Sequence, residues 1–255
     1  MRIKDHYFFY LACISVLFAC GCVSTPSFKI KNSLPQSKLA YFNDPFDKLR
    51  TDVWDKAGLT FNEQQLANFK PADMRIEDGK LRIETKIGHF SKGGLLSRYT
   101  FRGDFDIQLD CQMDFLDMTL GMDQVLFFMA KEATESNWVM IGLSKPAGKT
   151  RSFAFSQYLR EGKRILKSRH QIGNFKGALR IVRIAGKIRT QYRSNGEPGW
   201  TEILSFSALS GDVVIGFGLQ NFTGRRNGID AESSIAAKFE SFRINNAQEI
   251  IEEEI

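Results

Sequence analysis

Apolar and polar residues alternate most regularly between Phe105 and Phe115, where the sequence reads FDIQLDCQMDF. Every odd-numbered residue of this stretch is apolar, and every even-numbered residue is polar. Because successive side chains of a strand point to opposite faces, this period predicts one long strand with a face toward the core and a face toward water. Half-buried strands of this kind are typical of antiparallel sheets.

Shorter alternating runs lie on both sides of this strand and are separated by turn residues. Met74–Glu77 and Lys80–Ile87 flank Asp78-Gly79, a dipeptide that favours a two-residue hairpin. A second hairpin is predicted at Ala185-Gly186. Further strands are predicted at Gly93–Tyr99, Gln124–Ala130, Asn137–Leu143, Ser152–Leu159, Ile165–Arg169, Ala178–Ile184, Ile188–Arg193, Thr201–Phe206, Asp212–Gln220 and Ile235–Ile244. With one short helix suggested at Glu63–Asn68, the pattern predicts an all-β fold, either an antiparallel two-sheet β-sandwich or a barrel.

The N-terminus has the pattern of an export signal. Arg2 and Lys4 precede an apolar run of 13 residues that ends at Ala19. This run is too short to cross a bilayer comfortably, but it has the length of a signal-peptide core. Leu17-Phe18-Ala19-Cys20 is similar to the lipobox of bacterial lipoproteins, in which the cysteine is diacylglycerylated and the chain is cut before it. The resemblance implies acylation of Cys20, with Cys22 as the alternative site.

These features divide the chain into four predicted parts. They are a lipoprotein signal peptide at 1–19, a lipid anchor and flexible tether at 20–41, a sandwich at 42–245 and an acidic tail at 246–255. The residue after the acylated cysteine is Gly21 or Val23 rather than Asp. By the Gram-negative sorting rule that this context resembles, the protein is expected in the cell envelope, at the outer rather than the inner membrane.

The order of the central segments resembles the concanavalin A-like (laminin G-like) jelly roll. The resemblance rests on SKGGLLSR, GDFDIQLD, SNWVMIGL, ALRIVRIAGKIRTQYRSNGEPGW and VVIGFGLQN, and it is closest to uncharacterised bacterial members. It covers about Phe42 to Asn245 and implies a jelly-roll sandwich. Since the superfamily contains lectins, carbohydrate-binding modules, glycosidases and adhesion domains, the fold does not choose among these functions.

The polar face of the long strand carries the first candidate for chemistry. Glycosidases of this superfamily place Glu-x-Asp-x-Glu on one strand, with the two reacting carboxyl groups ~5–5.5 Å apart in retaining enzymes. The matching positions are Asp104, Asp106 and Gln108. An amide is neither nucleophile nor acid, so no catalytic residue is predicted. The row is instead expected to be solvated and paired with basic residues of other strands, the candidates being Arg75, Arg82, Lys86, Arg180 and Arg189.

Charge and aromatic residues suggest a second kind of site. The net charge is +6 and basic residues cluster between Lys145 and His170, which favours an anionic polymer, although lysines and arginines also protect exposed strand edges. Nucleic acid does not suit an exported lipoprotein. The candidate ligand-binding residues are Trp200, Tyr192, Tyr158, Phe222, Lys163 and Arg164, whereas Trp138 is predicted in the core.

Cysteine and metal chemistry contribute little to the prediction. Cys111 lies on the apolar side of its strand and is expected to be a buried hydrophobic residue. No cofactor or metal site is predicted. Asp117 and Asp123 are the only residues that suggest a possible Ca²⁺ site.

The sequence therefore predicts a lipid-anchored envelope protein whose noncatalytic sandwich binds a glycan or another envelope component. The alternatives are a glycoside hydrolase-like enzyme and a scaffold or adhesion domain without a small ligand.

Overall fold

The computed structural model describes residues 30–57, 69–117, 119–160, 162–207, 209–222 and 231–252. The predicted signal peptide, Cys20, Cys22 and the helix suggested at Glu63–Asn68 lie outside these residues. Within the described ranges, no helix is long and apolar enough to span a membrane.

One helix and fifteen strands make up the described chain. The helix is α1 (Gln36–Phe42), and the strands are β1 (Trp54–Ala57), β2 (Phe69–Pro71), β3 (Asp73–Glu77), β4 (Lys80–Glu84), β5 (Phe90–Ser97), β6 (Tyr99–Met113), β7 (Asp123–Glu132), β8 (Trp138–Lys145), β9 (Ser152–Arg160), β10 (Lys163–Ile172), β11 (Phe175–Ile184), β12 (Lys187–Ser194), β13 (Thr201–Ser207), β14 (Val213–Phe222) and β15 (Ala236–Glu252).

The strands form two packed sheets, which confirms the predicted antiparallel sandwich. One sheet, the β6 sheet, has the order β3-β4-β15-β6-β11-β12-β13. The other, the β8 sheet, has the order β10-β9-β8-β7-β14-β5, with β1 and β2 on the far side of β5. Val213 pairs with Phe101 and joins the two sheets through β14 and β6. All pairings are antiparallel except that of β2 with β5.

The core lies between the sheets and follows the period that the sequence shows. In β6, Phe105, Ile107 and Leu109 are fully buried, as the alternation predicts. The hairpin between β3 and β4 is also confirmed, because Asp78 and Gly79 both have positive φ, at 53° and 67°. Positive φ at both central residues is the requirement of the type I′ turn, which matches the right-handed twist of the strands.

The predicted tether is wrong at its C-terminal part, because α1 belongs to the sandwich. Leu39 and Phe42 are buried in the core. Asp44 then exchanges two backbone hydrogen bonds with Phe242, of 3.0 and 2.8 Å. Since β4 pairs only with the first residues of β15, the segment that contains α1 lies along the remaining edge of β15, where unpaired backbone groups would otherwise be exposed.

A buried carboxylate anchors this N-terminal segment. Asp44 accepts hydrogen bonds from the Phe46 amide, at 2.7 Å, and from the Trp54 indole nitrogen, at 2.8 Å. Burial raises the pKa of Asp44, while these two donors and the charge of Arg50 act in the opposite direction. Asp44 thus connects the N-terminal segment to the aromatic core around Trp54.

The predicted acidic tail is wrong up to Glu252, because β15 continues to that residue. Ala247 and Ile250 are buried, and β15 pairs with β6 as far as Glu252 and Tyr99. Apolar residues among the glutamates give this segment a buried face, so it extends the sheet instead of fraying.

Candidate functional site

The acidic row on the outer face of the β6 sheet is partly buried. Asp106 is 2% exposed and Gln108 is 6% exposed, so the predicted solvated face is wrong at these positions. Arg180 donates from Nε to Asp106 Oδ1 at 2.7 Å and contacts Oδ2 through Nη2, which confirms the predicted pairing with Arg180. Asn245 donates a third hydrogen bond to Asp106 at 3.1 Å. The other proposed partners pair with different carboxylates. Arg75 and Arg82 each pair with Glu77 and Glu84. Lys86 pairs with Asp73, and Arg189 pairs with Glu202.

The remaining carboxylates of the row also hold the fold together. Asp104 accepts a hydrogen bond from the amide of Ala185 in the β11–β12 turn, at 3.0 Å. Asp110 accepts from Gln108 at 2.7 Å and from Ser241 and Arg243 at 2.6 Å. Each carboxylate is therefore engaged by a neighbouring side chain or turn.

Trp200 covers the buried ion pair. The centroid of its ring lies 5.1 Å from the guanidinium carbon of Arg180 and 4.7 Å from that of Arg193. Beside it a groove of ≈ 270 Å³ is lined by Arg193, Lys176, Asp110 and other polar residues. Because acidic and basic side chains are mixed in this groove, its charge favours no one class of ligand.

The candidate aromatic residues do not share one surface. Tyr158 stacks on Phe206 with ring centroids 4.3 Å apart, and Tyr192 packs edge-on against Phe175 at 6.4 Å. Both tyrosines are partly buried and pack against the core between the sheets. Trp200 lies on the outer face of the β6 sheet. The side chain of Phe222 lies outside the described part of the structure.

The β8 sheet has an unusual outer face, on which phenylalanine rings lie across glycines of neighbouring strands. Phe127 on β7 pairs with Gly218 on β14, and Phe155 on β9 pairs with Gly142 on β8. A Cβ added to Gly218 would lie 2.8 Å from Cζ of Phe127, and one added to Gly142 would lie 2.8 Å from Cζ of Phe155. Such distances are too short for a real Cβ, so each ring occupies the space that the glycine leaves open.

Trp138 and Phe153 extend this arrangement and define, with Phe127 and Phe155, what we call the aromatic face. The prediction that Trp138 lies in the core is wrong. Val139, its neighbour, points inward and is fully buried, so Trp138 points outward and is half-buried. Phe153 is likewise half-buried. Other large apolar side chains of this outer face include Val125, Met129 and Met140.

Basic residues stand over three of the four rings. The Arg164 guanidinium lies 5.5 Å from the centroid of Trp138, and that of Arg169 lies 5.8 Å from the centroid of Phe153. The Lys92 ammonium lies 5.4 Å from the centroid of Phe127. A cation within about 6 Å of a ring face is attracted by the ring quadrupole. Of the predicted binding residues, Arg164 therefore lies at this face, and Lys163 is exposed beside it at the start of β10.

The loop proposed for Ca²⁺ is occupied by protein hydrogen bonds. Asp123 accepts from the amide of Ala147 at 2.7 Å. The buried Lys145 ammonium donates to the carbonyl of Leu116 at 2.6 Å, which places a positive charge in this loop. Across the described ranges, no three His, Cys, Asp or Glu side chains come together as metal ligands.

Comparison with known proteins identifies the architecture. The sequence matches no protein-family model and no curated protein. LamA from Zobellia galactanivorans, in complex with laminaritriose and laminaritetraose, matches with a TM-score of 0.58 over 85% of this chain and 99% of that chain, at 11% identity. The chain is a jelly-roll sandwich.

Two further structures show the same fold. The catalytic domain of an endo-1,3-beta-glucanase (laminarinase) from Thermotoga petrophila RKU-1 matches with a TM-score of 0.57 and 9% identity, over 83% of this chain and 97% of that one. The CBM2 module of the evolved Dit protein of Lactobacillus casei BL23 phage J-1 matches with a TM-score of 0.57 and 8% identity, over 80% and 95%. At such identities the likeness concerns the jelly-roll fold, and function must be argued from the site.

Proposed function

We propose that this chain is a lipid-anchored cell-envelope protein whose jelly-roll domain binds a glycan at the aromatic face without cleaving it. The aromatic face is the observation that carries the proposal. Sugar rings present C–H groups that pack against aromatic rings, and binding sites combine such apolar contacts with a few polar groups that fix orientation. Trp138 and Phe153 are half-buried, so their rings retain surface for such a contact.

The glycines support the proposal because they allow two phenylalanine rings to lie close against the strands of the sheet. Gly142 and Gly218 have no side chains, and the rings of Phe155 and Phe127 fill the space above them. Phe127 and Phe155 are 5% and 7% exposed, so they form a floor, whereas Trp138 and Phe153 stand more open beside it. An extended saccharide chain fits a broad, shallow surface of this kind.

The distribution of carboxylates supports binding without hydrolysis. Most glycosidases need two carboxyl groups that flank the scissile bond. Strands β5, β8, β9, β10 and β14 contain no Asp or Glu, and Glu132 of β7 is buried. Asp104, Asp106 and Asp110 lie on the other sheet and are engaged in hydrogen bonds. Among the described residues, the strands that carry the aromatic face thus offer no free pair of carboxyl groups, which supports binding without cleavage.

Truncation of Trp138 is expected to weaken glycan binding, whereas truncation of Trp200 is not. Both tryptophans lie under arginines, but on opposite sheets, so Trp200→Ala is a matched control. A glycan array selects the ligand, and its affinity is then measured for the wild type and both variants. Trp138→Ala should weaken binding by about tenfold or more, in line with the >1 kcal/mol typical of central aromatic contacts.

The same binding experiment distinguishes glycan binding at the aromatic face from the alternative functions. Melting curves must show that both variants are folded, since Trp200 covers Arg180. An equal loss with Trp200→Ala would move the site to the β6 sheet. New reducing ends after incubation would identify an enzyme, and the absence of any glycan contact would leave a scaffold or adhesion domain.

The anchor is proposed at Cys20, with Cys22 as the alternative. Nine residues lie between Cys20 and Ile30, so the ten residue-to-residue steps of this segment span at most about 35 Å when fully extended. The described chain starts at the edge of the β6 sheet, where Gln248 donates to the Lys31 carbonyl at 3.1 Å. Several acyl chains, at ~0.8 kcal/mol per buried CH₂, would hold the protein stably at a membrane.

Acylation is expected to depend on Cys20. Cells that express the wild type, Cys20→Ala, Cys22→Ala or the double variant are grown with a fatty-acid probe, and label on the protein is measured. We expect label in the wild type and in Cys22→Ala, and none in the other two. Loss of label only in Cys22→Ala would move the site, and an unlabelled wild type would refute the anchor.

A further inference from the structure

Acidic and basic residues are distributed unequally between the two sheets. The strands of the β6 sheet carry both kinds, and their acidic residues are Asp73, Glu77, Glu84, Asp104, Asp106, Asp110, Glu202, Glu240, Glu249 and Glu252. Strands β5, β8, β9, β10 and β14 of the β8 sheet carry none. Their basic residues are Lys92, Lys145, Arg160, Lys163, Arg164, Lys167 and Arg169. The net charge of +6 is therefore concentrated on the sheet that bears the aromatic face.

The acidic residues of β7 do not change this balance at the aromatic face. Asp123 is at the start of the strand and accepts a hydrogen bond from Ala147. Glu132 is at its end, is 4% exposed and accepts hydrogen bonds from the Gly211 amide and the Asn137 side chain. Neither carboxylate neutralises the cations above the rings.

Two of these cations are available to a ligand. Arg164 and Arg169 are exposed, and neither forms an ion pair with a described carboxylate. Their guanidinium groups lie 5.5 Å from the Trp138 centroid and 5.8 Å from the Phe153 centroid. Each pair thus places a planar donor group within about 6 Å of the centre of an apolar ring. A guanidinium donates two parallel hydrogen bonds to a carboxylate, sulfate or phosphate group.

We infer that the aromatic face binds an acidic polysaccharide, in which each recognised residue combines a sugar ring with a negatively charged substituent. The ring would pack on Trp138 or Phe153, while its carboxylate or sulfate would pair with Arg164 or Arg169. A surface of one charge sign also raises the local concentration of an oppositely charged ligand. This inference rests on the proposed function and specifies its ligand class.

An anionic membrane surface is the competing partner, and the shape of the face argues against it. Side chains that enter a lipid surface must protrude from the protein. Phe127 and Phe155 are 5% and 7% exposed and lie within the sheet surface. The described large apolar side chains that do protrude, Tyr41 at 51%, Ile87 at 64% and Leu120 at 66% exposed, lie in α1 and in the β4–β5 and β6–β7 loops, not on the strands that carry the aromatic face.

The test compares each charged polymer with its neutral parent. The full chain, purified in nonionic detergent, is titrated onto immobilised polyuronate, the same polymer after reduction of its carboxylates, dextran sulfate and dextran. At least one charged polymer should bind about tenfold or more tightly than its neutral parent, and added salt should weaken that binding. Equal affinity for both members of each pair would overturn the inference but leave glycan binding intact.

Substitution locates the charge effect. Arg164→Gln with Arg169→Gln should weaken binding to the charged polymer by roughly tenfold, as expected for the loss of two exposed cationic contacts, and should leave the neutral polymer unaffected. Arg193→Gln is the matched control, because Arg193 lies over Trp200 on the other sheet, and it should bind like the wild type. An equal effect of Arg193→Gln would overturn the assignment to the aromatic face.

Two competitors separate the remaining sources of negative charge. Inorganic polyphosphate has no sugar ring, so displacement of the polysaccharide at equal charge concentration would show charge attraction alone and overturn the inference. Phosphatidylglycerol added to the micelles should not compete. If it displaces the polymer from the wild type, the face is a lipid site, and both the inference and the proposed glycan function fail. If no polysaccharide binds at all, the proposed function fails first.

Discussion

Replacement of Asp106 by alanine is expected to lower the free energy of unfolding by about 3–5 kcal/mol, the range for breaking a buried ion pair. The loss arises because Arg180, at 8% exposure, would keep its charge without the carboxylate that now compensates for its removal from water. Asn245 would also lose the acceptor at 3.1 Å. The measurement is a urea melt of the full chain and the variant, followed by tryptophan fluorescence.

Two further variants test the cause of this loss. Asp114→Ala removes the carboxylate that directly follows β6 in the same alternating sequence, but Asp114 is exposed, so its cost should stay within about 0.5 kcal/mol. Asp106→Ala combined with Arg180→Met removes both charges and should recover much of the stability, because no unpaired buried ion remains. If Asp106→Ala costs no more than Asp114→Ala, the pair is solvated in solution.

The row that contains Asp106 shows where sequence periodicity is sufficient and where it fails. The alternation between Phe105 and Phe115 correctly identifies the core-facing side, because a half-buried strand needs one continuous apolar face. It does not reveal what covers the opposite side. Arg180 is 74 residues away in sequence, and Trp200 reaches the pair only because β11, β12 and β13 are adjacent in the sheet. Burial of Asp106 is therefore a property of the strand order.

Sequence patterns also fail at the two ends of the domain, for a related reason. Residues 23–40 have few apolar side chains among Ser, Thr, Pro and Lys, which is typical of a tether. Residues 36–42 nevertheless form α1, because β4 leaves most of the edge of β15 uncovered, and Leu39 and Phe42 can be buried there. The glutamates after Ala247 likewise suggest an exposed tail, but this segment is a strand whose apolar residues pair with the first half of β6. Local composition does not show that an edge elsewhere requires a partner.

The sequence does not reveal the aromatic face, because its strands are apolar on both sides. In WVMIGL and QVLFFMA the inward and outward residues are both hydrophobic, so the sequence does not show whether Trp138 points into the core. The register decides, since it places Phe127 beside Gly218 and Phe155 beside Gly142. Single glycines within strand patterns are a signal of close approach by other groups, and they were the available clue. The sequence shows the basic residues of β10, but it does not show which rings lie beneath them.

Truncation of Leu109 to alanine is expected to destabilise the fold by about 2–5 kcal/mol, the range for a fully buried leucine. Leu109 is 0% exposed and lies in the central part of β6, which pairs with both β11 and β15, so neighbours on both sides restrict collapse of the cavity. Denaturant melts of the wild type and Leu109→Ala measure the loss. Gln112→Ala, which removes a partly exposed polar side chain from the opposite face of the same strand, should change stability by less than about 0.5 kcal/mol.

The thiol of Cys111 provides an independent test of the same register. Cys111 is 1% exposed, and burial raises the pKa of its thiol, with Asp110 and Glu240 acting in the same direction. Because the thiolate is the reactive form, a thiol reagent should modify Cys111 only after unfolding, and Leu109→Ala should accelerate that reaction in dilute denaturant. The experiment uses the variant Cys20→Ala/Cys22→Ala, so that thiols at the proposed anchor do not contribute to the measured labelling. Rapid labelling of the native protein at Cys111, or a loss for Gln112→Ala as large as that for Leu109→Ala, would require a register shifted by one residue, which would turn every side chain of β6 to the other face.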